Sequence, residues 1–271
     1  MGWLGALTKW RRARILRRAA LDENLWRLAV ERYSFAQSLL NAERARLKDC
    51  VNLFLHEKTI QGAGGLRIRD EIRVSIALQA CILILNLDLD YYRGWVEIIV
   101  YPDEFVAAYE FVDEAGVAHV VHEPMSGESW LQGPVILSWA DAEEAEHGTG
   151  YNVVIHEFAH KLDMLNGDAN GFPPLHADMS RETWSQAFTA AYEDFCARVD
   201  RDENTLIDPY AAENPAEFFA VVSEAFFEIP AAVQASYPEV YRQLALFYRQ
   251  DPALRLQRGV RPTHDSRPVR R

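Results

Sequence analysis

Val153-Val154-Ile155-His156-Glu157-Phe158-Ala159-His160-Lys161-Leu162-Asp163 is the stretch on which the reading of this chain turns. On a helix, residues four apart share a face, so His156 and His160 reach one point in space. Two imidazoles at that spacing suit zinc, and Glu157 between them is placed to deprotonate a metal-bound water. A surface helix with three solvated side chains is the plainer alternative. Val153, Val154, Ile155 and Leu162 weigh against it, because they make the helix apolar over much of its circumference and predict burial. Ionisable groups inside a buried helix need partners, and a metal supplies one.

A zinc hydrolase of this kind needs a third protein ligand and keeps the fourth position for water. In one arrangement a glycine three residues past the second His turns the chain sharply into that ligand. Asp163 stands at this position, with Asn166 where the ligand would follow, so the compact arrangement is not expected. In the other, a Glu from a separate helix completes the site. The candidate helix is Asn214-Pro215-Ala216-Glu217-Phe218-Phe219-Ala220-Val221-Val222-Ser223-Glu224-Ala225-Phe226-Phe227. Asn214 is a good N-cap and Pro215 fits the first helical position. Glu217 and Glu224 lie seven apart, on one face. Glu217 also reads as a capping-box carboxylate and Glu224 as a half-exposed helix carboxylate, and spacing alone does not choose between them. Asp163 reads as a partner for an imidazole or a nearby backbone group, or as a helix C-cap.

These residues carry a resemblance. His156-Glu157-x-x-His160-x-x-Asp163, followed by Tyr210-Ala211-Ala212-Glu213-Asn214-Pro215-Ala216-Glu217, resembles the Mlc titration factor A family, bacterial zinc-dependent peptidases related to the catalytic domain of anthrax lethal factor. Gly94-Trp95-Val96-Glu97-Ile98-Ile99-Val100-Tyr101-Pro102 and Phe247-Tyr248-Arg249-Gln250-Asp251-Pro252 are similar to it as well, and the likeness covers roughly residues 50 to 253. The resemblance implies one zinc ion held by His156, His160 and Glu217, Glu157 as general base, and Tyr210 as hydroxyl donor to the developing oxyanion. It leaves Glu224 an orienting or structural role. A phenol in the loop before the ligand-bearing helix is also physically placed to approach the metal's open side.

A net charge of −12 argues against nucleic-acid binding by the domain. Residues 101 to 163 hold thirteen Asp or Glu against one lysine, a field that would favour cationic peptides. Cys50, Cys81 and Cys196 are an odd count without a C-x-x-C, which predicts free thiols in a reducing, cytoplasmic compartment. Residues 1–21 carry Lys9, Arg11, Arg12, Arg14, Arg17 and Arg18, with no acid before Asp22 and no apolar signal region. They read as a solvated basic arm or as a short amphipathic helix in weak contact with an anionic membrane surface. Residues 254–271 read as a basic flexible tail.

Between those ends, residues 22–253 are expected to form a single domain. Residues 22–58 read as helical, Gln61-Gly62-Ala63-Gly64-Gly65 as a loop, and 74–87 as a buried helix too short to span a bilayer. Residues 96–101, 117–123 and 135–139 read as strands, and 181–200, 215–228 and 237–250 as helices. The fold class is α+β, zincin-like by resemblance, with a small mixed sheet before the active-site helix, whose edge aligns an extended peptide substrate. The expected function is a zinc metallopeptidase of the gluzincin type, acting within chains or as an aminopeptidase. The alternative is a zinc-stabilised regulatory protein that sequesters a transcriptional repressor of the Mlc type. A serine or cysteine hydrolase lacks its motif here.

Overall fold

In the structure, a computed structural model, residues 3–18, 21–112, 118–125, 127–129, 133–144 and 148–259 are described. The chain runs α1 (Trp3–Arg18), α2 (Glu23–Arg32), α3 (Ser34–Gln37), α4 (Asn41–Glu57), β1 (Thr59–Gly62) and α5 (Asp70–Leu83). Strands β2 (Glu97–Tyr101), β3 (Phe105–Val112), β4 (Ala118–Met125), β5 (Gly127–Ser129) and β6 (Val135–Ser138) follow. Helices α6 (Trp139–Glu144), α7 (Val153–Asp163), α8 (Arg181–Val199), α9 (Pro215–Glu228), α10 (Pro230–Ser236), α11 (Pro238–Tyr248) and α12 (Pro252–Gly259) complete it.

Four strands form a mixed sheet in the order β1-β2-β6-β5, the first three parallel and β5 antiparallel at the edge. Strands β3 and β4 make a separate antiparallel pair. Alternation sets the register: Ile98 and Val100 of β2 face the core opposite Val135 and Leu137 of β6, and all four are buried. Helix α5 is buried nearly all round, which is why its sequence shows no polar face.

The structure revises several expected boundaries. The helical stretch 22–58 breaks at Tyr33, whose backbone is extended (φ −112°, ψ 119°), and again before Asn41. The buried helix expected at 74–87 begins earlier, at Asp70, and stops at Leu83. Gln61 and Gly62, read as loop, are the last residues of β1, paired with Ile99 and Val100. Trp139 opens α6 rather than closing a strand. The strand expected at 117–123 runs from Ala118 to Met125, and residue 117 lies outside the described residues. The last expected helix ends at Tyr248, where Arg249 takes a left-handed conformation (φ 52°).

The N-terminal segment is a docked helix over Trp3–Arg18. Arg12 bonds Glu57 at 3.3 Å, Asp88 at 2.9 Å and Asp90 at 2.8 Å, and Ile15 is buried beside it. Residues 254–259 of the expected tail belong to α12, where Arg255 pairs with Glu43 at 3.0 Å. The remainder, 260–271, lies outside the described residues. Among the described residues, no helix is long and apolar enough to cross a membrane.

Candidate metal centre

Helix α7 is started by Asn152, whose side chain accepts from the Ile155 backbone N–H at 2.9 Å. Its rotation is set by Phe158, which packs among Tyr92, Trp95 and Phe54 with ring centroids 5.1, 5.7 and 5.8 Å away. Phe158 lies two residues past His156, on the opposite side of the helix. Burying it in this aromatic cluster therefore turns both histidines toward α9. Helix α9 starts at Asn214, whose side chain accepts from the N–H groups of Ala216 (2.9 Å) and Glu217 (3.1 Å). With the cap supplied by Asn214, the Glu217 carboxylate points to the histidines. Phe218 and Phe219 hold the helix on its other faces, against Tyr192 and Phe195 and against Trp184 and Phe247.

Three donors converge. Nε2 of His156 and Nε2 of His160 are 3.1 Å apart, and Oε2 of Glu217 lies 3.0 Å from the first and 3.3 Å from the second. Two imidazole nitrogens this close repel unless a proton or cation lies between them. Tetrahedral coordination with bonds of about 2.0 Å has ligand-to-ligand edges of about 3.3 Å. The trio therefore fits a divalent metal ion in both chemistry and dimensions, and it is a His/His/Glu group able to hold one.

The electrostatics agree. Burial alone would lower the His156 pKa, but the carboxylates of Glu217 and Glu224 carry it well above its ordinary value. Burial alone would raise Glu217, yet hydrogen bonding to His156 and His160 holds its carboxyl well below the usual range. The two shifts are the two sides of one interaction, in which the imidazole and the carboxylate each stabilise the other's charged form.

Around this trio the structure arranges further carboxylates. Oε1 of Glu224 lies 2.8 Å from Nδ1 of His156, and its Oε2 accepts from the Asn152 N–H. Glu224 is buried, not half-exposed, and burial pushes its pKa up against the opposing pull of His156. Glu228 accepts from the Asn152 side chain at 3.0 Å and from the Gly148 N–H at 3.2 Å. Asp163 takes the backbone option: its Oδ2 accepts from the N–H groups of Asn170 (2.8 Å) and Gly171 (2.7 Å). Gly171, at φ +75°, packs so closely on Pro215 that a Cβ there would meet the Pro215 carbonyl oxygen at 2.4 Å. Asp163 thus ties the end of α7 to the start of α9.

Tyr210 stands in a 3-10 turn, Pro209–Ala212, capped by Asp208, which accepts from the Tyr210 N–H at 2.9 Å. Its ring centre is 6.3 Å from that of His156, and it is 48 % exposed. Burial first, then the charge of Glu217, raises its phenol pKa. Glu157 is 4 % exposed and lies under strand β5 at Gly127. Asn152, Glu228, Gly171 and Gly127 were not singled out in the sequence. Only Asn152 carried a local signal, as a capping residue directly before an apolar run.

The glucose-regulated metallo-peptidase M90 family matches residues 7–249. The chain belongs to this family. It is 36 % identical over 234 residues to Mlc titration factor A of Escherichia fergusonii, covering 86 % of this chain and 88 % of the relative. It is 36 % identical over 229 residues to the proteins of that name from Yersinia pestis and Yersinia pseudotuberculosis, covering 83 % of this chain and 84 % of each relative. A metallopeptidase family and a His/His/Glu trio point to the same element of chemistry, a metal ion between α7 and α9.

Proposed function

We propose that this M90 family member is a zinc-dependent peptidase in which His156, His160 and Glu217 hold the ion, Glu157 is the general base and Tyr210 is the oxyanion donor. The observation that carries this reading is the meeting of two imidazole nitrogens and one carboxylate oxygen within 3.3 Å of one another, beside Glu157. Two nitrogens and one carboxylate oxygen are a donor set of catalytic zinc. When bound, zinc supplies an electrophile and lowers the pKa of its water from about 15.7 toward about 7.

Within that site Glu157 takes a proton from the attacking water and passes it to the leaving amine. Tyr210 keeps its proton at neutral pH, as its raised pKa requires, and donates it in a hydrogen bond to the carbonyl oxygen as negative charge develops. Losing one such donor typically costs about 2.7–4 kcal/mol in the barrier. Glu224 holds the His156 ring by its far nitrogen. In this reading the α+β fold is zincin-like over residues 22–253, the open side of β5 receives an extended peptide, and the protein works in the cytoplasm as an endopeptidase or aminopeptidase. Three free thiols suit that compartment.

The name of the relatives supports a second reading, capture of a repressor of the Mlc type without turnover. A pure binder has no chemical need for Glu157 or Tyr210, so the enzyme ranks first. Peptide-library cleavage by the zinc-loaded protein beside Glu157→Gln, with metal content measured on both, decides between them. Cleavage by the wild type alone is expected; no cleavage by either, with zinc present, would leave the binding protein.

A further inference from the structure

Strand β5 passes over α7 at Gly127, and the contact is unusually close. A Cβ on Gly127 would lie 2.3 Å from Oε1, 2.7 Å from Cγ and 2.8 Å from Cδ of Glu157. Four glycines of the chain answer a different demand. Gly65, Gly94, Gly148 and Gly167 adopt positive φ and have open space where a side chain would go. Gly127 has no positive φ, and the three atoms a side chain there would meet first all belong to Glu157.

Neither backbone has room to retreat. Glu157 is buried, and its helix is fixed in rotation by Phe158 in the aromatic cluster. Gly127 is held in register opposite Leu137 of β6, which is itself buried. Side chains settle in discrete rotamers, and a wall on one side of a carboxylate selects among them.

We infer that Gly127 is a positioning residue: its bare Cα is the surface against which the Glu157 carboxylate is set. The inference rests on Glu157 being the general base of the proposed peptidase. A methyl group at position 127 pushes the carboxylate away from the water it must deprotonate, while the three metal donors, none of which is among the atoms that methyl group would meet first, stay in place. Misplacement by about 1 Å can cost about 100-fold in rate.

The test is a double-mutant cycle between Gly127→Ala and Glu157→Asp, whose carboxylate is one methylene shorter. Gly127→Ala is expected to keep full metal content and a KM within about twofold of wild type, and to lose about 100-fold in kcat. Adding Glu157→Asp should cost the Gly127→Ala protein much less than it costs the wild type. Denaturation of the metal-free proteins supplies a readout independent of turnover. There Gly127→Ala should lower the midpoint when Glu157 is present and leave it unchanged in a Glu157→Ala background. Unchanged kcat in Gly127→Ala, or strictly additive losses in both cycles, would overturn the inference. If Gly127→Ala does not fold alone, folding of its double variant with Glu157→Asp supports the inference, and failure of that variant too overturns it. Should Glu157→Gln itself retain full turnover, the general-base reading fails instead.

Discussion

Nδ1 of His156 and Oε1 of Glu224 lie 2.8 Å apart, so one imidazole is held at both nitrogens, by Glu224 on one side and Glu217 on the other. A carboxylate at the far nitrogen fixes the tautomer and leaves the lone pair of Nε2 for a metal. Removing it should therefore weaken metal binding without removing a ligand. Glu224→Gln is expected to lower zinc affinity about 10- to 100-fold, as read by competition with a chelator. Affinity equal to wild type would mean that Glu224 is structural only.

Glu157 and His160 sit three residues apart on α7 and should separate cleanly in their effects. Glu157→Gln is expected to retain one zinc per chain and lose at least about 100-fold in turnover, the ordinary contribution of a general base. His160→Ala is expected to lose both metal and turnover. Metal analysis beside a peptide assay checks the pair, and full activity in Glu157→Gln would sink the mechanism.

Tyr210 stands beside the metal trio without belonging to it. Tyr210→Phe should keep zinc and leave KM within about twofold, while kcat falls about 100- to 1,000-fold. Steady-state kinetics on one peptide suffices. A loss confined to KM would recast Tyr210 as a substrate-binding residue.

Lys58 gives a prediction in pH. Burial pushes its ammonium down to about 8, partly offset by Glu57, although its Nζ donates to the Trp95 carbonyl at 2.6 Å and lies 3.7 Å from the centre of the Trp95 ring. An unfolded lysine titrates near about 10.4, so between the two values the unfolded chain holds a proton that the folded chain has released. Stability therefore rises with pH through that window, by at most about 1.4 kcal/mol per pH unit for this one group. Lys161, also lowered to about 8 by burial, adds a rise of the same sign. Urea midpoints measured at pH 7.5 and 9.5 should climb less in Lys58→Met than in the wild type; equal climbs would refute the assignment.

The two helices that build the centre were legible because each announces itself locally. Helix α7 has its donors one turn apart in an apolar run, and α9 has Asn214 and Pro215 at its start. What the residues did not encode locally was less visible. Strand β1 buries only Ile60, so it has no alternation to detect, and its terminal Gly62 mimics a turn. That glycine is in fact demanded by the Leu66 carbonyl, which a Cβ would meet at 2.0 Å. The burial of Glu224 escaped notice because spacing says which face a residue shares, not what packs on that face. Asp163 had several readings, and the one realised depends on a loop seven and eight residues further on. Gly127 was invisible for the same reason: its neighbour, thirty residues away in sequence, is brought there by the sheet.

His160 and Glu217 are 57 residues apart along the chain, and α8 lies wholly between them. An ion shared by these residues is thus a clasp on a long loop, and clasps on long loops restrict the chain's conformational freedom most. It follows that such an ion cannot be captured until α9 has emerged and docked, so a truncated or nascent chain ending before it would be an inert precursor. Stripping the ion from the finished protein should loosen residues 164–214 before the rest, making that segment the first to admit a foreign protease. On this view the centre also serves as a checkpoint on completion of the fold, opened by the same chelators that would silence the peptidase.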